Sequence, residues 1–130
     1  MEEKSRHLLV LTHGQEDGGS RATLAFALAV SLQAMGAEVV VYLHSHASVW
    51  AFEKISQNIN IPGFDSLGVY IDLFLESEGT LYACASCVDD INNDPRYTGQ
   101  YAVGSVRKTV VPAGITTLAS LMMERKTISI

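Results

Sequence analysis

Cysteine is scarce. Cys84 and Cys87 are the only two in 130 residues, which excludes the disulfide framework that staples small secreted domains. Basic charge is short as well: nine Lys and Arg face fourteen Asp and Glu, for a formal net charge of −5. With no basic cluster, the chain lacks the electrostatic footprint of a nucleic-acid or anionic-membrane binder. Long apolar runs are missing too. The longest helical one, Ala22 to Met35, is interrupted by Thr23, Ser31 and Gln33 and is too short to span a bilayer. The charged start, Met1-Glu-Glu-Lys-Ser-Arg-His7, passes directly into a strand pattern without the apolar core of a signal peptide. We therefore expect a soluble, cytoplasmic protein with no nucleic-acid or membrane partner. Repeats and linkers are absent, and a 48% hydrophobic content supports one core, so residues 1–130 read as a single domain.

What is present is an alternation of strand and helix. His7–Thr12 is a continuous apolar run of strand length, followed by the polar, glycine-rich stretch from His13 to Gly19. Ser20 is placed to cap a helix running to about Met35 and stopped by Gly36. Glu38–His44 reads as a second strand, buried on both faces as a covered parallel sheet requires. Residues 45–65 are less regular, with a short helix expected near Val49–Gln57. Ser66 caps a helix from Leu67 to Glu78, ended by Gly79. Thr80–Cys84 is strand three and runs into a helix. Strand four is expected at about Val106–Val111, then a helix from Ile115 to about Arg125 and a closing strand, Thr127–Ile130. This order indicates an open, mainly parallel α/β sheet with right-handed crossovers.

In the first helix, Leu24, Ala27, Leu28, Ser31, Leu32 and Met35 form the stripe expected to face the sheet. Phe26, Ala29 and Val30 add apolar surface on another side. A helix apolar nearly all round is buried on more than one face. Its second cover is either the irregular middle segment or another subunit.

Ligands of open parallel sheets bind beyond the carboxyl ends of the strands. His13 follows strand one, His44 ends strand two with His46 two residues on, and Cys84 ends strand three, so all four share one edge. His7, at the opposite end, reads as structural. Three chemistries compete for the cysteines. In one, Cys84 is a nucleophile that accepts sulfur as a persulfide, helped by a helix N-terminus and a neighbouring donor such as His13 or His44. In the second, Cys84 and Cys87 form a dithiol pair, although only their spacing matches a thioredoxin-like motif. In the third, His44, His46, Cys84 and Cys87 hold zinc, but the one-residue histidine spacing is shorter than usual. The last is the least favoured, and no resident metal or cofactor is expected. Against all three stands plain packing, for which a buried Cys84 and a core-facing Cys87 are well suited.

The turn carrying Gly14, Gly18 and Gly19 matches neither the dinucleotide fingerprint nor the Walker pattern. Glu16 and Asp17 would repel phosphate, so the turn is expected to shape a ligand edge together with His46. Asp89 and Asp90 suit the start of the helix after Cys84 but oppose a low thiol pKa. Residues 92–99 read as a surface turn, and Arg96, Tyr97 and Tyr101 are candidates to lean over the cysteine.

Taken together, the Ala- and Leu-rich first helix ending in Met35-Gly-Ala-Glu-Val-Val-Val41, the run Leu81-Tyr-Ala-Cys84 before a helix, and the Ala113-Gly-Ile-Thr-Thr-Leu-Ala-Ser-Leu121 helix resemble the DsrE/DsrF-like (YchN-like) proteins. The resemblance implies a three-layer α/β/α fold around a five-stranded parallel sheet, and assembly with itself into trimers or hexamers. Some members, including the DsrEFH and TusBCD complexes, relay sulfur through a cysteine at the end of strand three, the position of Cys84. That in turn implies a sulfur donor or acceptor protein as partner, with Cys87 as an auxiliary thiol. Many other members have no established activity, which leaves a non-catalytic ligand-binding or assembly module as the alternative. Where relatives often carry a basic Arg-Gly segment after the cysteine, this chain has Val88-Asp-Asp-Ile-Asn-Asn93.

Overall fold

A computed structural model of the protein describes residues 4–98 and 104–130. Tyr101 lies outside the described residues. Five strands, β1 (Arg6–Leu11), β2 (Glu38–Leu43), β3 (Thr80–Cys84), β4 (Val111–Ala113) and β5 (Lys126–Ser129), form one sheet in the order β4-β3-β2-β1-β5. Every pairing is parallel. The helices are α1 (Ser20–Ala34), α2 (Leu67–Glu76), α3 (Ala85–Asn92), α4 (Pro95–Thr98) and α5 (Ile115–Glu124), with 3-10 turns at Gln15–Asp17, Ser45–Ala51 and Ile55–Asn58.

The strand order dictates the layers. From β1 to β4 the chain steps always in the same direction, so right-handed crossovers keep α1, α2 and α3 on one face. The step from β4 back to β5 runs the other way and carries α5 across the opposite face. Packing agrees: Phe26 of α1, Phe74 of α2 and Ile91 of α3 share a core with the odd-numbered residues Leu9, Val41, Leu81 and Ala83. Leu118 of α5 instead packs with the even-numbered Leu8, Val10, Val40 and Tyr42. Strand side chains alternate between faces, so this odd–even division is the signature of a sheet covered on both sides.

The stripe of α1 differs from the sequence expectation. Ala22, Ala25, Phe26 and Ala29 are buried, whereas Leu24 is half exposed and Met35 is exposed. A helix apolar on nearly every side has no preferred phase, and three alanines let it sit close to the strands. Its second cover comes from the same chain, with Phe26 meeting Phe74 edge-on at 5.7 Å. Phe26 is therefore a core residue and no candidate for a subunit contact.

Other boundaries move for local reasons. Gly19 takes the N-cap position of α1 in place of Ser20, and the Asp17 carboxylate accepts from the N–H groups of Gly19 and Arg21 at 3.0 and 3.1 Å. Helix α1 ends in a Schellman motif, with Gly36 left-handed (φ 92°) and the N–H groups of Gly36 and Ala37 donating to Gln33 and Leu32. Helix α2, capped by Ser66 as expected, ends in the same motif but places Glu78 at the left-handed position (φ 67°). Gly79 follows because a Cβ there would collide with the Phe74 ring. The expected helix near Val49–Gln57 is instead the two 3-10 turns at Ser45–Ala51 and Ile55–Asn58.

Strand four is displaced from Val106–Val111 to Val111–Ala113. Val106 makes an antiparallel bridge to Phe52, and the Arg107 N–H donates to the Ala51 carbonyl at 2.8 Å. This stitches that segment to the turn after β2. A further turn at residues 107–110 then delivers β4 to the sheet edge, where Pro112 is tolerated.

Candidate functional site

The fold has a point where successive strands send their chains to opposite sides. The carboxyl end of β3 feeds α3 on one face, and that of its neighbour β4 feeds α5 on the other. Such a switch point opens a crevice where ligands of α/β sheets bind. Cys84 is the last residue of β3, in register with Ala113 of β4, and serves as N-cap residue of α3.

Register also explains its companions. Tyr42 pairs with Tyr82 across β2 and β3, and two residues further along each strand come His44 and Cys84. Equal parity brings them to the same side, and one turn of α3 adds Cys87. The donor atoms of His44, Cys84 and Cys87 all lie within 4.8 Å of one another. The His44 ring stacks on Tyr42 at 6.3 Å and 21°, and Tyr42 on Tyr82 at 6.2 Å and 13°. The Tyr42 hydroxyl donates to the Gly114 carbonyl at 2.9 Å, fastening β2 to the start of α5. Burial raises the Tyr42 pKa, and negative charge on Cys84 or Cys87 raises it further, so the phenol keeps its proton.

The two thiols are unequal. Burial is the largest influence on Cys84 and pushes its pKa up. Hydrogen bonds from the Cys87 thiol, the Ser86 hydroxyl and the N–H groups of both residues outweigh it, so the Cys84 pKa is lowered overall. The Cys84 sulfur lies 3.4 Å from Ser86 Oγ. Cys87 is raised, first by burial and then by its partner Cys84, against weaker help from the Ser45 N–H and the Ser48 hydroxyl. Neither Asp89 nor Asp90, both exposed, figures among the influences on Cys84. Cys84 is thus the more readily ionised thiol of the pair.

Ser45 contributes through its backbone. It is one of two non-glycine residues with positive φ among those described, at 56°, a conformation of about 1–2 kcal/mol cost that gathers at functional sites.

A cleft of about 250 Å³ opens at Cys87, lined also by His46, Asp90, Asp94, Arg96 and Tyr97 among others. Arg96 pairs with Asp94 at 2.7 Å and lies over the Tyr97 ring. Arg96 and Tyr97 therefore border the cleft at Cys87.

The remaining candidates stand apart from the cluster. The His13 ring contacts Arg21 at 3.0 Å and Thr12 at 3.4 Å, and its carbonyl accepts from the fully buried Trp50 indole at 3.0 Å. His46 points outward, 74% exposed and 3.9 Å from Glu16. Gly14 is backed by the His46 carbonyl, which a Cβ would strike, and Gly18 and Gly19 are left-handed at φ 73° and 88°. The N–H groups of Gly14 and Gly19 are taken up within the loop, by Glu16 at 2.6 Å and Asp17 at 3.0 Å. Sequence reasoning missed Tyr42, Tyr82, Ser45, Ser48 and Ser86. The two tyrosines were discoverable by counting back two residues from His44 and Cys84; nothing in the sequence brings Ser48 to Cys87.

An all-parallel five-stranded sheet, helices on both faces and a cysteine at the β3/β4 switch point define a DsrE-type α/β protein. The family model for DsrE/DsrF-like proteins matches residues 6–128, and the chain belongs to that family. YchN from Escherichia coli shares its fold with a TM-score of 0.72 at 12% identity, over 97% of this chain and 99% of that one. BT1422 from Bacteroides thetaiotaomicron, a conserved protein of unknown function, superposes with a TM-score of 0.57 at 18% identity, over 95% and 94%. No curated protein matches the chain. The family is linked in general to sulfur relay. Among the described residues, no helix is long and apolar enough to cross a membrane.

Proposed function

We propose that the protein is a sulfur carrier in which Cys84 accepts sulfane sulfur as a persulfide and passes it on. The observation that carries this reading is the placement of Cys84 at the switch point with Ser86, Cys87 and His44 gathered round its sulfur. In the transfer, the Cys84 thiolate attacks the outer sulfur of a donor persulfide. A new S–S bond forms at Cys84, the donor's S–S bond breaks, and the electron pair leaves on the donor thiolate, which takes up a proton. An acceptor thiolate then repeats the exchange at the outer sulfur, regenerating Cys84. Ser86, Cys87 and His44 supply donors around the persulfide anion, and the adjoining cleft gives a donor or acceptor protein its approach. We propose the cytoplasm as its setting, since a thiol carrier works where thiols are kept reduced.

We propose further that the chain assembles with itself, as a trimer or hexamer, through α5. Ile115 and Met122, seven residues apart, share an exposed helix face, with Met123 beside them.

The test is mass spectrometry after incubation with inorganic polysulfide. One added sulfur on the Cys84 peptide, absent in Cys84→Ser and retained in Cys87→Ser, supports the carrier; no adduct on Cys84 refutes it. The nearness of the two sulfurs, within 4.8 Å, favours a second reading, a dithiol/disulfide pair. A measured Cys84–Cys87 reduction potential outside the cellular range would eliminate it.

A further inference from the structure

We infer that His44, Cys84 and Cys87 form a three-ligand site for a thiophilic divalent cation of the zinc class, with solvent from the adjoining cleft as fourth ligand. The site does not depend on Cys84 carrying sulfur. One imidazole and two thiols offer donor atoms mutually within 4.8 Å. A tetrahedral ion with metal–sulfur bonds of about 2.3 Å and metal–nitrogen bonds of about 2.0 Å requires donor separations of roughly 3.5–3.8 Å. Donors drawn together by at most about 1 Å would close the set.

The scaffold beneath the three donors is rigid. His44 and Cys84 stand at the ends of neighbouring hydrogen-bonded strands, the His44 ring is braced on Tyr42, and Cys87 is one turn into α3. Outer donors are in place as well. Among the described residues the fully buried Ser48 hydroxyl has no ordinary hydrogen-bond partner, and it lies beside the Cys87 sulfur. Ser86 lies against Cys84. Groups that donate to ligand thiolates orient them and tune the metal. The ligand set is too soft for magnesium or calcium, which take oxygen.

His46 is what distinguishes this site from a two-histidine, two-cysteine arrangement. It faces Glu16 and solvent and does not join the three. The fourth position is therefore open to the cleft at Cys87, as in metal sites that exchange a ligand. Binding expels any remaining thiol protons to solvent and blocks both sulfurs.

The experiment is a titration of the reduced, metal-free full chain with Zn²⁺ against a chromophoric chelator, repeated with Co²⁺ for its spectrum. We expect one zinc per chain, and for Co²⁺ a thiolate-to-metal charge-transfer band with the intense visible bands of a tetrahedral ion. Cys84→Ser, Cys87→Ser and His44→Gln should each weaken zinc binding at least about tenfold, whereas His46→Ala should change it by less than about threefold. An octahedral cobalt spectrum, zinc well below one per chain, or a loss with His46→Ala equal to that with His44→Gln would overturn the site. The cobalt spectrum is read on the unmodified chain, so a variant that fails to fold cannot obscure the outcome.

Discussion

On one face of the sheet, Phe26, Trp50, Ile71 and Phe74 lie fully buried beneath α1, α2, α3 and the turn after β2, in a cluster of twenty buried residues among those described. On the other, α5 is the only helix among the described residues, and their corresponding cluster has five members. The first face holds most of the buried apolar side chains. The second is underbuilt for a free surface, since α5 leaves Ile115, Met122 and Met123 exposed. It is also the face from which Tyr42, Tyr82, His44 and Cys84 project by parity. The difference teaches that odd strand positions carry most of the apolar packing and even positions lead to His44 and Cys84, which Cys87 joins from α3 on the thicker face.

The contrast can be broken first where it is largest. Phe74→Ala removes a ring packed against Phe26 and the Gly79 backbone, and should cost about 3–5 kcal/mol in urea unfolding. Leu118→Ala, on the thin face, should cost about 2 kcal/mol. Equal losses would mean that the two faces bear stability alike. Smaller still is the effect of Met123→Glu, at a side chain 87% exposed. It should change the stability of the folded chain by less than about 0.5 kcal/mol and yet lower the assembled mass in sedimentation. An unchanged mass would show that α5 is no interface. The finest test concerns the thiols. In chelator-treated protein, alkylation of Cys84 should reach half its maximal rate at a pH below that of an ordinary cysteine, and alkylation of Cys87 at a pH above it. The signs follow because a lowered pKa supplies thiolate earlier as pH rises and a raised one later. The reverse order would exchange the roles of the two cysteines.

Much of this was legible in the sequence because strand ends are marked strongly. Thr80–Cys84 is bounded by Gly79 and by the residues of α3, and its limits fall where they were read. The carboxyl-edge convergence of His44 and Cys84 followed from topology alone. What escaped depended on distances that no local pattern encodes. The Val- and Thr-containing run at residues 106–111 looks like a strand, but its Arg107 N–H donates to Ala51, and the Ser105 carbonyl just before it accepts from the Glu53 N–H, some fifty residues away. The stripe of α1 was misphased because Leu and Ala occur on all sides of it. In the glycine-rich turn the Gly14 and Gly19 amides are engaged by Glu16 and Asp17, carboxylates whose direction a sequence does not give.

Strand β3 is five residues long, bounded at its start by Gly79, whose missing side chain admits the Phe74 ring, and at its end by Cys84. That length works as a gauge. A single inserted or deleted residue between Gly79 and Cys84 would leave the strand paired but turn the sulfur through half a revolution, into the packed layer where Ala83 now sits. Substitutions along β3 can be absorbed by repacking; a change in its count cannot. Drift in this protein should therefore run through side-chain identity at Leu81, Tyr82 and Ala83, while the spacing from glycine to cysteine stays fixed.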